Sequence, residues 1–468
     1  MALPDAPRPT FDDAQVRPGL LRRRSPLRWG AHPPGVIPLT AAEPDFPGPP
    51  VVTDAIIAAV ADGYFPYASA TECGELQEAF SDVAETRYGI GSHPDRVVPA
   101  PGTAAALWGV VHLLCGKGDE CIVLDPVDLL FGQAVDAAGA RRVYCPMDKI
   151  TGSLDPDRLA SLITPRTALI CLCNPHNPLG TVFTESTLRA VAETAGAHRI
   201  PILCDEVWSE IVYPPGKHIS LASLDTANSR RVYTVTGLSK TFALPGLRAG
   251  FVIAPTRRAA DALRRTFQRL GATYSMTPLA QAGALAALRH GWPWRDAFLE
   301  HLHQIRDYSV DRLNAVPGIS CGRPEGTYVL FPDVSATGMT SRAMGEFLLA
   351  RARVAVVPGT PEWFGPAAEG NVRISYATSR AVMEEALQRI ARAVEEHVTG
   401  GPVPLQATGT QRKSAPPLPR GSQPRSHAFK EFHHPVRLLR AGTGKGTTDD
   451  SGTAGSAAGA APPSGRLP

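Results

Sequence analysis

Several groups of residues in this 468-residue chain are of types that do chemistry together. Lys240 follows Ser239 in the run Ser239-Lys240-Thr241-Phe242-Ala243-Leu244-Pro245-Gly246-Leu247-Arg248, which places an arginine eight residues after an amine able to hold a carbonyl compound as an imine. Asp205 ends the apolar run Ile202-Leu203-Cys204, so a strand there delivers its carboxylate to the C-terminal edge of a sheet, where ligands collect in α/β folds. The polar turn Asn174-Pro175-His176-Asn177-Pro178 follows another apolar run and sets Asn177 28 residues before Asp205. Pro101-Gly102-Thr103-Ala104 opens a helix, and the free backbone N–H groups at Thr103 and Ala104 favour an anion. Arg373, in Asn371-Val372-Arg373-Ile374-Ser375, offers a planar guanidinium that pairs bidentately with a carboxylate.

Pyridoxal phosphate asks four things of a protein: a lysine for its aldehyde, an acid at its pyridine nitrogen, a donor at its phenolic oxygen and a cup for its phosphate. The lysine segment, which continues as Ala249-Gly250, resembles that of class I/II aminotransferases and their lyase relatives, enzymes of fold type I. The resemblance covers roughly residues 25–398 and implies a role for each group. Lys240, preceded by Ser239, carries the cofactor as a Schiff base and moves the substrate proton. Arg248, Thr103 and Ala104 bind the phosphate, Asp205 keeps the ring nitrogen protonated, and Asn177 donates to the phenolic oxygen. Arg373 takes the substrate carboxylate, with Ala42 beside it. Tyr67, in Tyr64-Phe65-Pro66-Tyr67, reaches the neighbouring subunit's phosphate, which implies a homodimer with shared active sites.

Positions that depart from the pattern bear on the reaction more than on the cofactor. Trp208 stands where a tyrosine or histidine usually neighbours the phenolic oxygen, and an indole N–H donates but is no base. Gly237 replaces a hydroxyl residue that often touches the phosphate. Asp128 stands where an aromatic ring normally stacks on the cofactor. Either its carboxylate lies over the ring, or the loop is shifted so that Phe131 stacks and Asp128 faces solvent. Arg28-Trp29, Ala42-Glu43-Pro44-Asp45-Phe46-Pro47, His176, His218 and Phe364-Gly365 resemble the MalY/PatB-type carbon–sulfur lyases. That branch implies β-elimination from cystathionine or cysteine S-conjugates, giving thiol, pyruvate and ammonia. The alternatives are an amino-acid aminotransferase, a specialised enzyme of decarboxylation or oxidative deamination in natural-product biosynthesis, and a cofactor-binding regulator.

The elements that must position these residues alternate between short apolar runs and helical patterns. Strands are expected at residues 97–99, 121–124, 168–172, 202–204, 232–235 and 251–253, which with intervening helices predicts a mostly parallel α/β sheet. Val52, Ile56 and Val60 mark a helix stopped by Gly63. A later α+β region ends in a helix capped by Ser379, with Met383, Leu387, Ile390 and Val394 as its buried stripe. The expected organisation is an N-terminal arm at 1–48 joining the small domain, a large cofactor-binding domain at 49–294, a small domain at 295–398 and a disordered tail at 399–468.

Composition excludes other classes. From residue 400 onward nine basic residues face three acidic ones, so the tail carries +6 of a total of +3 and the remaining body is slightly acidic. Nucleic-acid binding by the folded part has no electrostatic support. No apolar run reaches the length of a membrane span, and residues 1–30 hold prolines and arginines in place of a signal peptide's apolar core, so a cytoplasmic protein is expected. The eight cysteines are scattered through apolar stretches and show no metal-ligand spacing.

Overall fold

A computed structural model describes residues 9–68, 73–226, 228–270 and 276–399, so the tail expected to be disordered lies, from residue 400, outside the described residues. The N-terminal arm contributes β1 (Ile37–Pro38). Next along the chain come β2 (Val97–Pro101), β3 (Glu120–Asp125), β4 (Arg141–Pro146), β5 (Thr167–Cys173), β6 (Ile202–Asp205), β7 (Val232–Gly237) and β8 (Ala249–Ile253). These form a seven-stranded sheet in the order β2-β8-β7-β6-β5-β3-β4. All neighbours run parallel except β8, which is antiparallel to both β2 and β7.

Every residue of β3, β6 and β7 is buried, as expected of uninterrupted apolar runs covered on both faces. β4 was not legible in the sequence: Arg141-Arg142-Val143-Tyr144-Cys145-Pro146 buries only Cys145 and lies at the sheet's edge, where charged side chains are tolerated.

The C-terminal part builds β9 (Val329–Leu330), β10 (Val354–Ala355), β11 (Val357–Pro358) and β12 (Val372–Ser375). β12 sits between β11 and β9 in a small antiparallel sheet. The last helix, Arg380–Val398, accepts its cap from Ser379 and buries Met383, Leu387, Ile390 and Val394. The helix Pro50–Ala61 behaves differently. Only Val52 of its period-four stripe is buried, whereas Val60 is 48% exposed and Ile57 beside it 61%. Among the described residues no helix is long and apolar enough to cross a membrane.

The arm is fixed by one buried cation. Arg28 is fully buried and donates from Nε to the Pro38 carbonyl at 2.9 Å, from one terminal nitrogen to the Glu43 carbonyl, and from the other to Asp45 Oδ2 at 3.1 Å. Trp29 Nε1 donates to the second Asp45 oxygen at 2.6 Å. Beyond this cluster β1 pairs with β10, Ile37 opposite Val354. Removing one partner of a buried ion pair strands the other, at a cost of about 3–5 kcal/mol. Arg28→Met is therefore expected to lower the unfolding free energy read from urea titration by that order, and Arg28→Met with Asp45→Leu to recover part of the loss.

Candidate active site

The parallel strands end at one edge of the sheet, and the loops leaving them carry the residues singled out above. β3 leads into the Asp128 loop, β5 into the Asn177 turn, β6 into Asp205 and Trp208, and β7 through Gly237 to Ser239 and Lys240. Register brings them level: Cys173 pairs with Asp205, and Asp205 with Val235.

Lys240 is partly buried. Its Nζ donates to the Ala42 carbonyl at 2.6 Å and sits 5.0 Å from the centre of the Trp208 ring. Burial, aided by the Arg373 charge, pulls its pKa down to about 8 against the opposing carboxylates of Asp128, Glu43 and Asp205. Burial pushes Asp205 up to about 7, opposed by a hydrogen bond from the Val207 N–H and reinforced by the charge of Asp128. An amine held toward neutrality close to a carboxyl held toward protonation is the pattern of a site that handles protons near neutral pH.

Asp128 does not face solvent. Its Oδ1 caps the helix Leu129–Ala137 by accepting from the Leu130 N–H at 3.1 Å. Its Oδ2 accepts from Asn177 Nδ2 at 2.9 Å and lies 3.5 Å from a terminal nitrogen of Arg373. That nitrogen also donates to Asn177 Oδ1 at 3.2 Å, while the other terminal nitrogen donates to the Thr40 carbonyl at 3.2 Å. The guanidinium stands 5.1 Å over the Phe364 ring, and its Nε, buried, has no hydrogen-bond partner among the described residues. Phe131 is buried in the core, so the shifted-loop expectation does not hold.

A separate cradle forms where the helix Thr103–Leu114 begins. Gly102 adopts φ +97° and provides no side-chain cap, leaving the first N–H groups of the helix open. Arg248 packs against it, such that a Cβ on Gly102 would stand 3.2 Å from Arg248 Nε. Gly250 brings the sheet up to the same turn, where a Cβ would meet Thr103 N at 2.6 Å. The Thr103 hydroxyl is buried and without a hydrogen-bond partner among the described residues. It fills the place a side chain at Gly237 would take, since a Cβ there would lie 2.5 Å from Thr103 Oγ1. Helix N–H groups, an orphaned hydroxyl and a guanidinium suit a phosphate. With the lysine amine and the strand-end carboxyl nearby, these residues fit pyridoxal phosphate.

The structure thus brings together Ala42, Asp128, Asn177, Asp205, Trp208, Lys240 and Arg373, and groups Thr103, Ala104 and Arg248 at the cradle. Tyr67 is 87% exposed, in a segment where Tyr64 and Phe65 are exposed as well. Sequence reasoning missed Tyr328, whose hydroxyl donates to the Ala42 carbonyl at 3.1 Å and whose ring meets Trp208 edge-on at 4.6 Å. Nothing in its sequence context separates it from a core tyrosine. It also missed the carbonyl of Thr40, because a backbone acceptor leaves no mark on residue type.

The features taken as signs of the lyase branch have structural work here. Arg28, Trp29 and Asp45 lock the arm. His218 Nε2 bonds the buried Glu206 at 3.0 Å. His176 is buried, its pKa pushed down to about 3, within the Asn177 turn. Phe364 lies under Arg373.

Comparison with known proteins defines the class. The family described as aminotransferase class I and II matches residues 34–390, and the chain belongs to it as a pyridoxal-phosphate enzyme of fold type I. It is 32% identical over 361 residues to an aspartate aminotransferase of Pyrococcus horikoshii, covering 77% of this chain and 91% of that protein. The crystal structure of an aromatic aminotransferase from Pyrococcus horikoshii OT3 superposes with a TM-score of 0.73 at 33% identity, covering 77% of this chain and 96% of that one. A C-S lyase from Staphylococcus hominis in its cofactor-bound form gives 0.70 at 26% identity, covering 77% and 91%. These findings favour the aminotransferase alternative over the expected lyase branch.

The Asp205 carboxyl makes a prediction for the cofactor-free protein. Its folded pKa of about 7 lies above the ordinary 3.8, so the folded state binds more protons in that window and its stability falls as pH rises through it. Urea midpoints should drop between about pH 5 and about pH 7.5. Asp205→Asn, neutral throughout, should flatten that slope.

Proposed function

We propose that this enzyme is an aminotransferase of α-amino acids, in which Lys240 holds the cofactor and moves the substrate proton. The observation that carries the reading is the partly buried Lys240 amine. It is held near neutrality between the Ala42 carbonyl and the Trp208 ring, within reach of the charges of Asp205 and Arg373. When bound, pyridoxal phosphate supplies an electrophilic aldehyde and a ring that accepts electrons.

The chain's own residues do the rest. Thr103, Ala104 and Arg248 bind the phosphate, with the Thr103 hydroxyl directed at it. Asp205, raised by burial, holds a proton at the ring nitrogen. Asn177, whose amide nitrogen gives one N–H to Asp128, would donate the other at the phenolic oxygen. Arg373 orients the substrate through its carboxylate, a bidentate geometry that fixes the Cα–H toward Lys240. Trp208 and Tyr328 wall off Lys240 from water, and Ser239 leads the chain into the lysine turn. Residues 49–294 then form the cofactor-binding domain, and residues 295–398 together with the arm present Arg373, Tyr328 and Ala42 to it.

Tyr67 is assigned to a partner subunit's phosphate. This agrees with its exposure and with the uncovered apolar side chains of Ile57 and Val60, and makes the enzyme a homodimer. The second reading, β-elimination from a cysteine-type thioether, draws support from the likeness to the Staphylococcus hominis C-S lyase.

Lys240→Ala is expected to abolish the visible absorption of the lysine–cofactor linkage and all turnover. The parent enzyme, given an amino acid and a 2-oxo acid, should exchange the amino group between them with no net ammonia. Release of thiol, pyruvate and ammonia from a cysteine thioether without any 2-oxo acid would replace this reading with the lyase one.

A further inference from the structure

The charges around Lys240 do not balance once an α-amino acid takes the place proposed above. Three carboxylates act on the lysine, those of Asp128, Glu43 and Asp205, against the guanidinium of Arg373. In that reading, on which this inference rests, Asp205 serves the ring nitrogen and Arg373 serves the substrate carboxylate. Asp128 then has to share its cation with a second carboxylate.

The geometry keeps Asp128 from leaving. Its Oδ1 is committed to the cap of the helix Leu129–Ala137, which aims Oδ2 at Asn177 and Arg373. The Arg373 terminal nitrogens are engaged by Asn177, Asp128 and the Thr40 carbonyl, while Nε is buried and has no hydrogen-bond partner among the described residues. A substrate carboxylate that meets this open donor shares one guanidinium with Asp128. Glu43, which accepts from the Ser25 hydroxyl, adds a second negative charge on the arm side. A neutral side chain leaves those carboxylates uncompensated in a site of low polarity, which is costly; a cation on the substrate restores neutrality.

We propose that the substrate is an α-amino acid with a cationic side chain, an ammonium or a guanidinium, and that Asp128 is the residue that recognises it. The carboxylate replaces the stacking ring expected at this position and converts a contact with the cofactor into a determinant of specificity. A negative group 3.5 Å from the guanidinium that takes the carboxylate selects against neutral and acidic side chains as well as for basic ones.

The test compares the holoenzyme with Asp128→Asn and Asp128→Ser. Both replacements retain a side-chain oxygen for the helix cap. L-ornithine and the neutral L-norvaline serve as amino donors, with conversion of the cofactor to its amine form read by absorbance. Their α-methyl analogues, which have no transferable Cα proton, are titrated by calorimetry. The parent enzyme is expected to prefer the ornithine member of each pair on the order of tenfold to a hundredfold, and both variants to lose that preference while gaining affinity for the norvaline member. Equal treatment of the two side chains by the parent enzyme, or a preference that survives in both variants, would overturn the proposal. If neither donor converts the cofactor, the aminotransferase reading fails by itself, and calorimetry still decides the specificity.

Discussion

A guanidinium that is nine-tenths buried has to be satisfied, and satisfying Arg373 ties together three stretches of chain far apart in sequence. β12 presents it, the Asn177 turn after β5 accepts from it, and the arm offers the Thr40 carbonyl. Asp128 from the loop after β3 adds the compensating charge. Apart from β12, these segments are irregular backbone. The cost of leaving a buried cation unpaired gives them one shared position. The cluster is at once part of what holds the cleft in shape and the place where a ligand must insert.

The lysine is governed by the same physics with the opposite outcome. Among the described residues no carboxylate approaches Lys240 closely enough to make an ion pair; its hydrogen bond goes to a neutral carbonyl, and burial lowers its affinity for a proton. That carbonyl belongs to Ala42, which Tyr328 also holds, and the neighbouring Glu43 carbonyl is gripped by Arg28. The buried arginine at the start of the chain thus determines where the amine of Lys240 finds its acceptor, and fold stability and reactivity meet in one short arm.

Much of this could be read from residue types. The strands that carry the site were legible because they are apolar runs ending in polar residues, and Lys240, Asp205, Asn177 and Arg373 were legible because chemistry restricts which side chains serve. What escaped has a common cause. The carbonyl of Thr40 and the hydroxyl of Tyr328 act through groups that many residues share, and β4 is an edge strand whose arginines hide its alternation. The helix Pro50–Ala61 shows the reverse error: its period was read correctly, but a periodic stripe does not say how much of it the fold will bury. The residues that suggested the lyase branch are weaker guides for a related reason, since Arg28, His176, His218 and Phe364 carry polar or aromatic groups that also pack or pair within the fold.

The close approach of Gly237 to Thr103 has a further consequence. Gly237 stands where a hydroxyl residue is commonly found, and by position alone it counts as a lost phosphate ligand. In space a Cβ at Gly237 would meet both Thr103 Oγ1 at 2.5 Å and the Ala249 carbonyl at 2.8 Å, so the side chain of Thr103 and the neighbouring backbone together leave room only for glycine. Gly237 contributes through its lack of a side chain, which lets the start of the helix Thr103–Leu114 lie against the strand that leads to Lys240.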